Sequence, residues 1–462
     1  MGFFLYDLIF LIVFGGFLVV FLIKRRRKLQ REGVLILYRT KLGIKIINYI
    51  ANKYKRTLRA IEPVVIISGY GLMAAMLFLL FQLVYIFAKF PEFVRAVKIP
   101  PLLPLIPYIP KIFNLDFLPP FYFTYWIIVL AIAAISHEFA HGIFAKSKNI
   151  EIKSTGFAFL GPFLAAFVEP DEKKAQKLKP KNQLAFLSAG TFANVIMTIV
   201  FFLIMWLFFV SFFNPAGVVF NSYTFSPINL SEAILTEDKL FVDYNGGLNL
   251  TRVLVGGKVY YVEEKNLNET GLIGAFEDAP ALKAGLIGVI VEFDGKEIKE
   301  HQDLSDALMS KKPGDEVFIK TETNGDIKNY KIELAENPQN KRKAYIGIAL
   351  INTKGLGLLS KFRGSVLFFK DANTYYRPKF NGDFMFFIYN LIWWIVLINF
   401  SIALVNMLPL GIFDGGRVFF LTVLMLTKSE NIAKRAYKFS TYLLLFIFFL
   451  LMFLWFVNFI GI

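Results

Sequence analysis

Six stretches of this 462-residue chain run for about 20 residues or more with almost no charge: 3–23, 64–88, 122–145, 184–213, 382–427 and 437–460. A helix of about 20 apolar residues matches the hydrocarbon thickness of a bilayer. The blocks therefore predict a polytopic α-helical membrane protein with about six transmembrane helices. Composition agrees, since 56% of the residues are hydrophobic and only 19% charged, against about 25% charged in a soluble domain. The block at 3–23 is too long for a signal-peptide core and lacks a leading basic region, so it is expected to remain as a span.

The formal charge of +16 invites a nucleic-acid reading, but the basic residues sit in short segments beside the apolar blocks. These are Lys24-Arg25-Arg26-Arg27-Lys28 with Lys53, Lys55, Arg56 and Arg59, then the lysines from Lys146 to Lys181, then Lys428, Lys434, Arg435 and Lys438. With six spans and both termini outside, all three segments fall on one side, which the positive-inside rule makes cytoplasmic. Orientation in a lipid bilayer accounts for the charge, and no nucleic-acid partner is expected. The chain has no cysteine, which excludes disulfides, thiolate catalysis and thiolate metal sites.

The blocks divide the chain into an N-terminal span with a basic cytoplasmic segment (1–63), a first part of a membrane core (64–213), an extracytoplasmic region (214–381) and a second part of the core (382–462). Within the external region, 271–350 has the texture of a soluble β-rich domain. Ala279-Pro280-Ala281-Leu282-Lys283-Ala284-Gly285-Leu286 reads as a short helix closed by glycine. Val289–Phe293 reads as a strand ending in the turn Asp294-Gly295. An amphipathic helix over 302–310 and alternating strands at 316–322 and 328–334 follow, joined through Asn324-Gly325. This order resembles a PDZ domain, and Ala216–Asn221 reads as its displaced first strand. Residues 222–264 read as a β-rich insertion.

The chain contains three histidines, His137, His141 and His301. Two of them flank Glu138 in His137-Glu138-Phe139-Ala140-His141, inside the block 122–145. Positions four apart share a helix face, so both imidazoles can reach one metal ion, with Glu138 about 100° around the helix. This is the H-E-x-x-H pattern of zinc hydrolases. Ionisable residues at mid-membrane cost roughly 2.5–3.5 kcal/mol each on insertion scales, so three together call for a strong partner such as a divalent cation. Catalytic zinc takes three protein ligands. His301 lies on the wrong side, and Asp414 is the only acid between Asp383 and Glu430. Asp414 follows a segment broken by Pro409 and Gly411, and broken backbone at membrane depth requires protein or a water-filled cavity around it. His137 lies nine residues before Lys146 and Asp414 fourteen before Lys428, about 14 Å and at most about 21 Å from the cytoplasmic ends of their helices. The two sites can meet in the cytoplasmic half of the membrane.

These motifs resemble the site-2 protease family of intramembrane zinc metalloproteases, PDZ-containing type. The family pairs H-E-x-x-H with a later N-x-x-P-x-x-x-x-D-G, here Asn406-Met407-Leu408-Pro409 continuing to Asp414-Gly415. The resemblance implies Zn2+ held by His137, His141 and Asp414, with Glu138 activating a zinc-bound water. It implies a substrate-binding or oxyanion-steadying role for Asn406. Ala189-Gly190-Thr191-Phe192-Ala193-Asn194 matches a further family segment, whose Asn194 either contacts the site or bonds another helix. The stretch from Gly156 to Glu172, with Gly161-Pro162 as its turn, resembles a re-entrant hairpin able to hold an extended substrate by strand addition. The implied function is endopeptidase cleavage of the transmembrane segments of membrane proteins already shortened by a first cut. The PDZ-like domain would act as the filter, its carboxylate loop either at Tyr345–Ile348 or at Gly271–Gly274.

Three other readings use similar features. An ion- or proton-coupled transporter also contains broken helices and buried charges, but no inverted repeat is visible. A non-catalytic PDZ membrane scaffold would have no need of a complete ligand set with Glu138. A different membrane zincin would place a second glutamate after the H-E-x-x-H helix, where the Asp414-Gly415 motif favours the site-2 type.

Overall fold

The computed structural model describes residues 3–460 apart from 34, 91–99, 114, 116–117, 161–162, 244–246, 270, 324 and 351–368. It divides into two compact units, one formed by 1–207 with 387–462 and the other by 208–386. The expected turns at Gly161-Pro162 and Asn324-Gly325 fall wholly or partly outside the described residues.

The first unit is helical, with one small sheet. Helix α1 is Phe3–Arg25, followed by strands β1 (Leu29–Glu32) and β2 (Leu35–Thr40). Helices α2 (Ile44–Lys53), α3 (Lys55–Lys89) and α4 (Phe123–Ser147) come next. Strands β3 (Ile152–Leu160) and β4 (Phe163–Pro170) lead into α5 (Pro180–Phe212). The chain returns as α6 (Gly382–Asn406), α7 (Asp414–Thr427) and α8 (Glu430–Ile460). Among the described residues, six helices are long and apolar enough to cross a membrane, in α1, α3, α4, α5, α6 and α8. The chain is thus a multi-pass membrane protein by length and composition of its helices.

Contacts between helix ends fix the direction of each span. Asp7 of α1 bonds the first residues of α4, and Tyr125 near the start of α4 donates to the carbonyl of Phe387 near the start of α6 at 3.1 Å. These three helices run the same way. Lys148 at the end of α4 pairs with Glu62 near the start of α3. His141 meets the carbonyl of Phe186 near the start of α5 at 2.8 Å, and Ser440 of α8 donates to Pro409 just after α6 at 3.0 Å. Helices α3, α5 and α8 therefore run the opposite way, which gives strict alternation.

Several helices extend beyond their apolar blocks. Helix α3 begins at Lys55 rather than 64, α5 at Pro180 rather than 184, and α8 at Glu430 rather than 437. Hydropathy registers only the apolar part, whereas intrahelical hydrogen bonds carry the helix into its charged flank. The basic segment after α1 is also ordered. Strands β1 and β2 pair antiparallel and extend the β3–β4 hairpin into a sheet of order β1-β2-β3-β4. Ile47 and Ala51 of α2 are fully buried, and Ile47 packs with Ala145 and Val168.

The long block at 382–427 breaks where Pro409 and its glycines stand. A Cβ on Gly415 would lie 2.3 Å from the carbonyl oxygen of Met407, and one on Gly416 2.3 Å from that of Leu410. Only glycine lets α7 start so close to the segment that has just left α6. The freed backbone is repaired locally. Leu410 N donates to Leu408 O at 2.7 Å and Phe413 N to Leu410 O at 3.0 Å. From α8, Tyr437 Oη donates to Gly411 O at 3.1 Å. Interior hydrocarbon offers no water for such groups, so protein must satisfy them.

The second unit is β-rich. Strands β5 (Phe213–Val218), β6 (Phe225–Asn229), β7 (Ile234–Val242), β8 (Leu248–Val255), β9 (Lys258–Glu263) and β10 (Leu272–Glu277) precede β11 (Val289–Phe293). After the helix His301–Met309 come β12 (Glu316–Thr323), β13 (Asp326–Glu333) and β14 (Thr374–Pro378). One sheet has the order β6-β10-β9-β8-β7; the other runs β13-β12-β11-β5-β14, with the short strand Lys296–Glu297 added on β11. The turn after β11 places Asp294 at φ 50° and Gly295 at φ 81°, the two positive values a tight hairpin turn requires. Val218, Leu282, Ile290, Phe293, Leu304 and Val317 form the centre of its core.

Because the chain lacks cysteine, single cysteines can report sidedness directly. In sealed vesicles, Lys28→Cys and Lys179→Cys are expected to react with a membrane-impermeant thiol reagent from one face and Lys312→Cys only from the other. Labelling of all three from one face would contradict the alternation.

Candidate metal centre

Eleven of the 25 residues of α4 are buried, and only Ala131 and Ile135 are exposed. Small residues let it sit there: a Cβ on Gly142 would meet Ile47 Cδ1 and Val168 Cγ1, each at 3.0 Å. His137 and His141 stand one turn apart on this helix, each 8% exposed. Their Nε2 atoms lie 3.0 Å from one another. Asp414, the first residue of α7, brings its Oδ2 to 3.3 Å from His137 Nε2 and 3.2 Å from His141 Nε2. The break after α6 is what aims it there, because α7 restarts with its N-terminus at the two imidazoles.

Three ligand atoms thus form a triangle with edges of 3.0–3.3 Å. Ligands bound at about 2.0–2.2 Å in tetrahedral geometry stand roughly 3.3–3.5 Å apart, so the triangle matches a divalent metal with little adjustment. Two imidazole nitrogens and one carboxylate oxygen are a donor set such a metal accepts. His141 Nδ1 lies 2.8 Å from the carbonyl oxygen of Phe186, so Nδ1 carries the proton and the Nε2 lone pair is left for the metal.

Glu138 does not join the triangle. Its Oε2 accepts the backbone N–H of Val168 on β4 at 3.0 Å, which holds the carboxylate beside the site. Glu138, both histidines, Asp414 and Asn406 line one cavity of about 450 Å³. Asn194 is fully buried but does not line that cavity. Its Oδ1 accepts Ser136 Oγ at 3.3 Å, a helix-to-helix bond one residue before His137. His301 begins a helix of the other unit.

Three features of the site escaped the sequence reading. Gly190, one turn before Asn194 on α5, has no room for a side chain: a Cβ there would lie 2.5 Å from His141 Nε2 and 2.6 Å from His137 Nε2. The glycine inside Ala189-Gly190-Thr191-Phe192-Ala193-Asn194 was the available signal, overshadowed by the polar residue beside it. The Val168 amide is backbone and leaves no mark in side-chain patterns. Arg417, exposed and three residues beyond Asp414, lines the same cavity.

Comparison with known proteins bears on this geometry. The family model described as Peptidase family M50 matches residues 125–452, well over half of the chain and inclusive of every residue of the triangle. Over 73 residues the chain is 51% identical to an uncharacterized protein of Methanocaldococcus jannaschii. That stretch is 15% of this chain, and the chain spans 20% of the length of that relative.

The closeness of Gly190 to both imidazoles makes it a sharp probe of the centre. Gly190→Ala is expected to weaken metal affinity by at least about tenfold, the scale seen when residues supporting metal ligands are disturbed. Gly71→Ala, at a glycine with open space around it, is expected to leave affinity unchanged. Metal content after dialysis against graded chelator distinguishes the two.

Proposed function

The chain belongs to peptidase family M50, and from that premise we propose that it is a zinc-dependent endopeptidase cutting transmembrane segments of other membrane proteins. The observation that carries the reading is the convergence of His137, His141 and Asp414 with Glu138 held beside them in one cavity. His137 Nε2, His141 Nε2 and Asp414 Oδ2 would hold the zinc. When bound, zinc supplies Lewis acidity that polarises a peptide carbonyl and acidifies water.

The chain's own groups account for the remaining chemistry. Glu138 takes the proton of the attacking water and hands it to the leaving amine nitrogen. The Val168 amide keeps one carboxylate oxygen engaged, so the other is free to face the cavity. Asn406 offers amide hydrogens to the substrate carbonyl as it gains negative charge. Burial among apolar helices strengthens each of these interactions.

A helical substrate must unwind before its peptide bonds become accessible. Strand β4 pairs with β3 on one side, and on its other side the Val168 amide points to Glu138. Backbone direction repeats every second residue in a strand, so the outward groups of Ala166 come next along the edge leading to Glu138. Ala165 and Ala166 line the cavity with small side chains. This edge suits an extended substrate segment added as a strand.

The second unit supports a PDZ reading through the order of its elements. The short helix Pro280–Lys283, β11, the turn at Asp294-Gly295, the helix His301–Met309 and the strands β12 and β13 follow the PDZ sequence of parts. In this reading the unit is extracytoplasmic and admits substrates already shortened by an earlier cut. The positive-inside bias of the basic segments supports a metal site in the cytoplasmic half of a cell membrane in this reading.

Glu138→Gln is expected to lower kcat by about 100-fold or more while keeping bound zinc. Asp414→Asn and chelation are expected to abolish cleavage together with metal. Cleavage of a purified single-span substrate, followed with metal analysis, reads all three, and undiminished cutting by Glu138→Gln would overturn the mechanism. A substrate with its external domain removed is expected to be cut at least about tenfold faster than its full-length form, a difference of roughly 1.4 kcal/mol. Equal rates would remove the filter role.

A further inference from the structure

Helix α1 has an unusual pattern of burial. It is strongly apolar, yet only 6% of its most hydrophobic window is buried, and Asp7 is its one buried residue among those described. Asp7 is 1% exposed and all its bonds run to other elements. Its Oδ2 accepts Tyr108 Oη at 2.6 Å and the Phe123 amide at 2.8 Å. Its Oδ1 accepts the Thr124 amide at 2.8 Å and Thr124 Oγ1 at 2.6 Å. Phe123 and Thr124 are the first two residues of α4, the helix of His137, Glu138 and His141. Tyr122, which precedes them, provides no side-chain cap.

We propose that Asp7 is a positioning residue for the metal centre, acting as the N-cap of α4 from a different helix. The first amides of a helix have no intrahelical partner, and in hydrocarbon no water replaces one. A carboxylate is the strongest acceptor for them and also faces the positive end of the helix. The far end of α4 is held as well, by Lys148 paired with Glu62 of α3 and by Lys55 bonded to Asn149 at 3.1 Å. With both ends tied, α4 has a defined axial and rotational seat, and His137 lies fourteen residues, about 21 Å, from the cap.

The segment after α1 acts on the same site from the other side. Strand β2 pairs with β3, and Arg39 on β2 reaches Glu169 on β4 with Nε 3.0 Å from Oε2. Glu169 neighbours Val168, whose amide holds Glu138. The N-terminal span and its hairpin therefore brace both the helix that carries the ligands and the strand that orients the base. A plain anchor would have an apolar inward face and would leave the α4 cap to another residue.

The inference rests on α4 being the metal helix, so its test includes a readout independent of cleavage. Full-length Asp7→Ala, Asp7→Asn and the control Ile12→Ala, at a lipid-facing position 67% exposed, are compared for amide hydrogen exchange, thermal stability, the visible spectrum of bound Co2+, and kcat and KM on a single-span substrate. Asp7→Ala is expected to exchange the amides of 123–124 at least about tenfold faster, shift the Co2+ bands and lower kcat by roughly 10–100-fold with KM little changed, as a displaced catalytic group does. Asp7→Asn, which keeps an acceptor of the same shape, is expected to fall between, and Ile12→Ala to match the parent. A folded Asp7→Ala with unchanged exchange, spectrum and kcat overturns the proposal. So does failure of both Asp7 variants to fold, which makes the cap purely structural. Absence of Co2+ bands and cleavage in the parent protein would instead sink the protease reading, while the exchange comparison would still decide the cap.

Discussion

Everything in the helical unit is arranged around the cost of polar groups where water is scarce. Two imidazoles and a carboxylate approach within 3.3 Å of one another, and without a shared cation such a cluster would be expensive to bury. A metal held by these three side chains would convert that cost into a bond network tying α4 to α7. The same accounting governs the backbone. Between Asn406 and Asp414 the helix is open, and local turns take up the Leu408, Leu410 and Phe413 carbonyls while α8 donates to those of Pro409 and Gly411. Asp7 solves the equivalent problem at the start of α4.

Close approach is the second requirement, and glycine supplies it at the decisive points. Gly190 allows α5 to lie directly against the imidazoles, Gly142 allows α2 and β4 to reach α4, and Gly415 and Gly416 allow α7 to begin beside the chain that leads into it. Small residues at helix contacts are the general means of tight packing in a bilayer, where hydrophobic burial does not drive one helix onto another. Here they also set the distances of the metal centre, because the ligands come from two helices that must converge to within a few tenths of an ångström.

Much of this was legible from the residues. The six spans, the broken helix before Asp414 and the pairing of His137-Glu138-Phe139-Ala140-His141 with Asp414 rest on hydropathy, on Pro and Gly as helix breakers, and on a donor set with few alternatives in a chain of three histidines. What stayed hidden has a common physical character. Gly190 acts by lacking a side chain, Val168 acts through its backbone, and Asp7 looks like an isolated acid in an otherwise apolar helix until its three partner residues, all beyond residue 107, are seen. Residues 24–54 showed only charge, since a two-strand hairpin and a ten-residue helix gain their order from packing on β3 and α4 and not from their own periodicity.

The ligands are 273 residues apart in sequence, with the whole β-rich unit between them, yet the metal geometry is tight. The way that unit begins and ends explains how. Its first strand, β5, follows α5 directly, and its last, β14, precedes α6; the two pair antiparallel, with Phe213 opposite Pro378. Lys379 N also donates to Phe212 O at 2.9 Å. The insertion therefore enters and leaves through adjacent backbone, so the end of α5 and the start of α6 are held together whatever the intervening chain does. Loop-closure cost grows only slowly with length, and a folded insert with paired ends removes most of what remains. A long insertion of this kind leaves the convergence of α4, α5 and α7 to local packing, and the ligand geometry then depends on short-range contacts in spite of the distance along the chain.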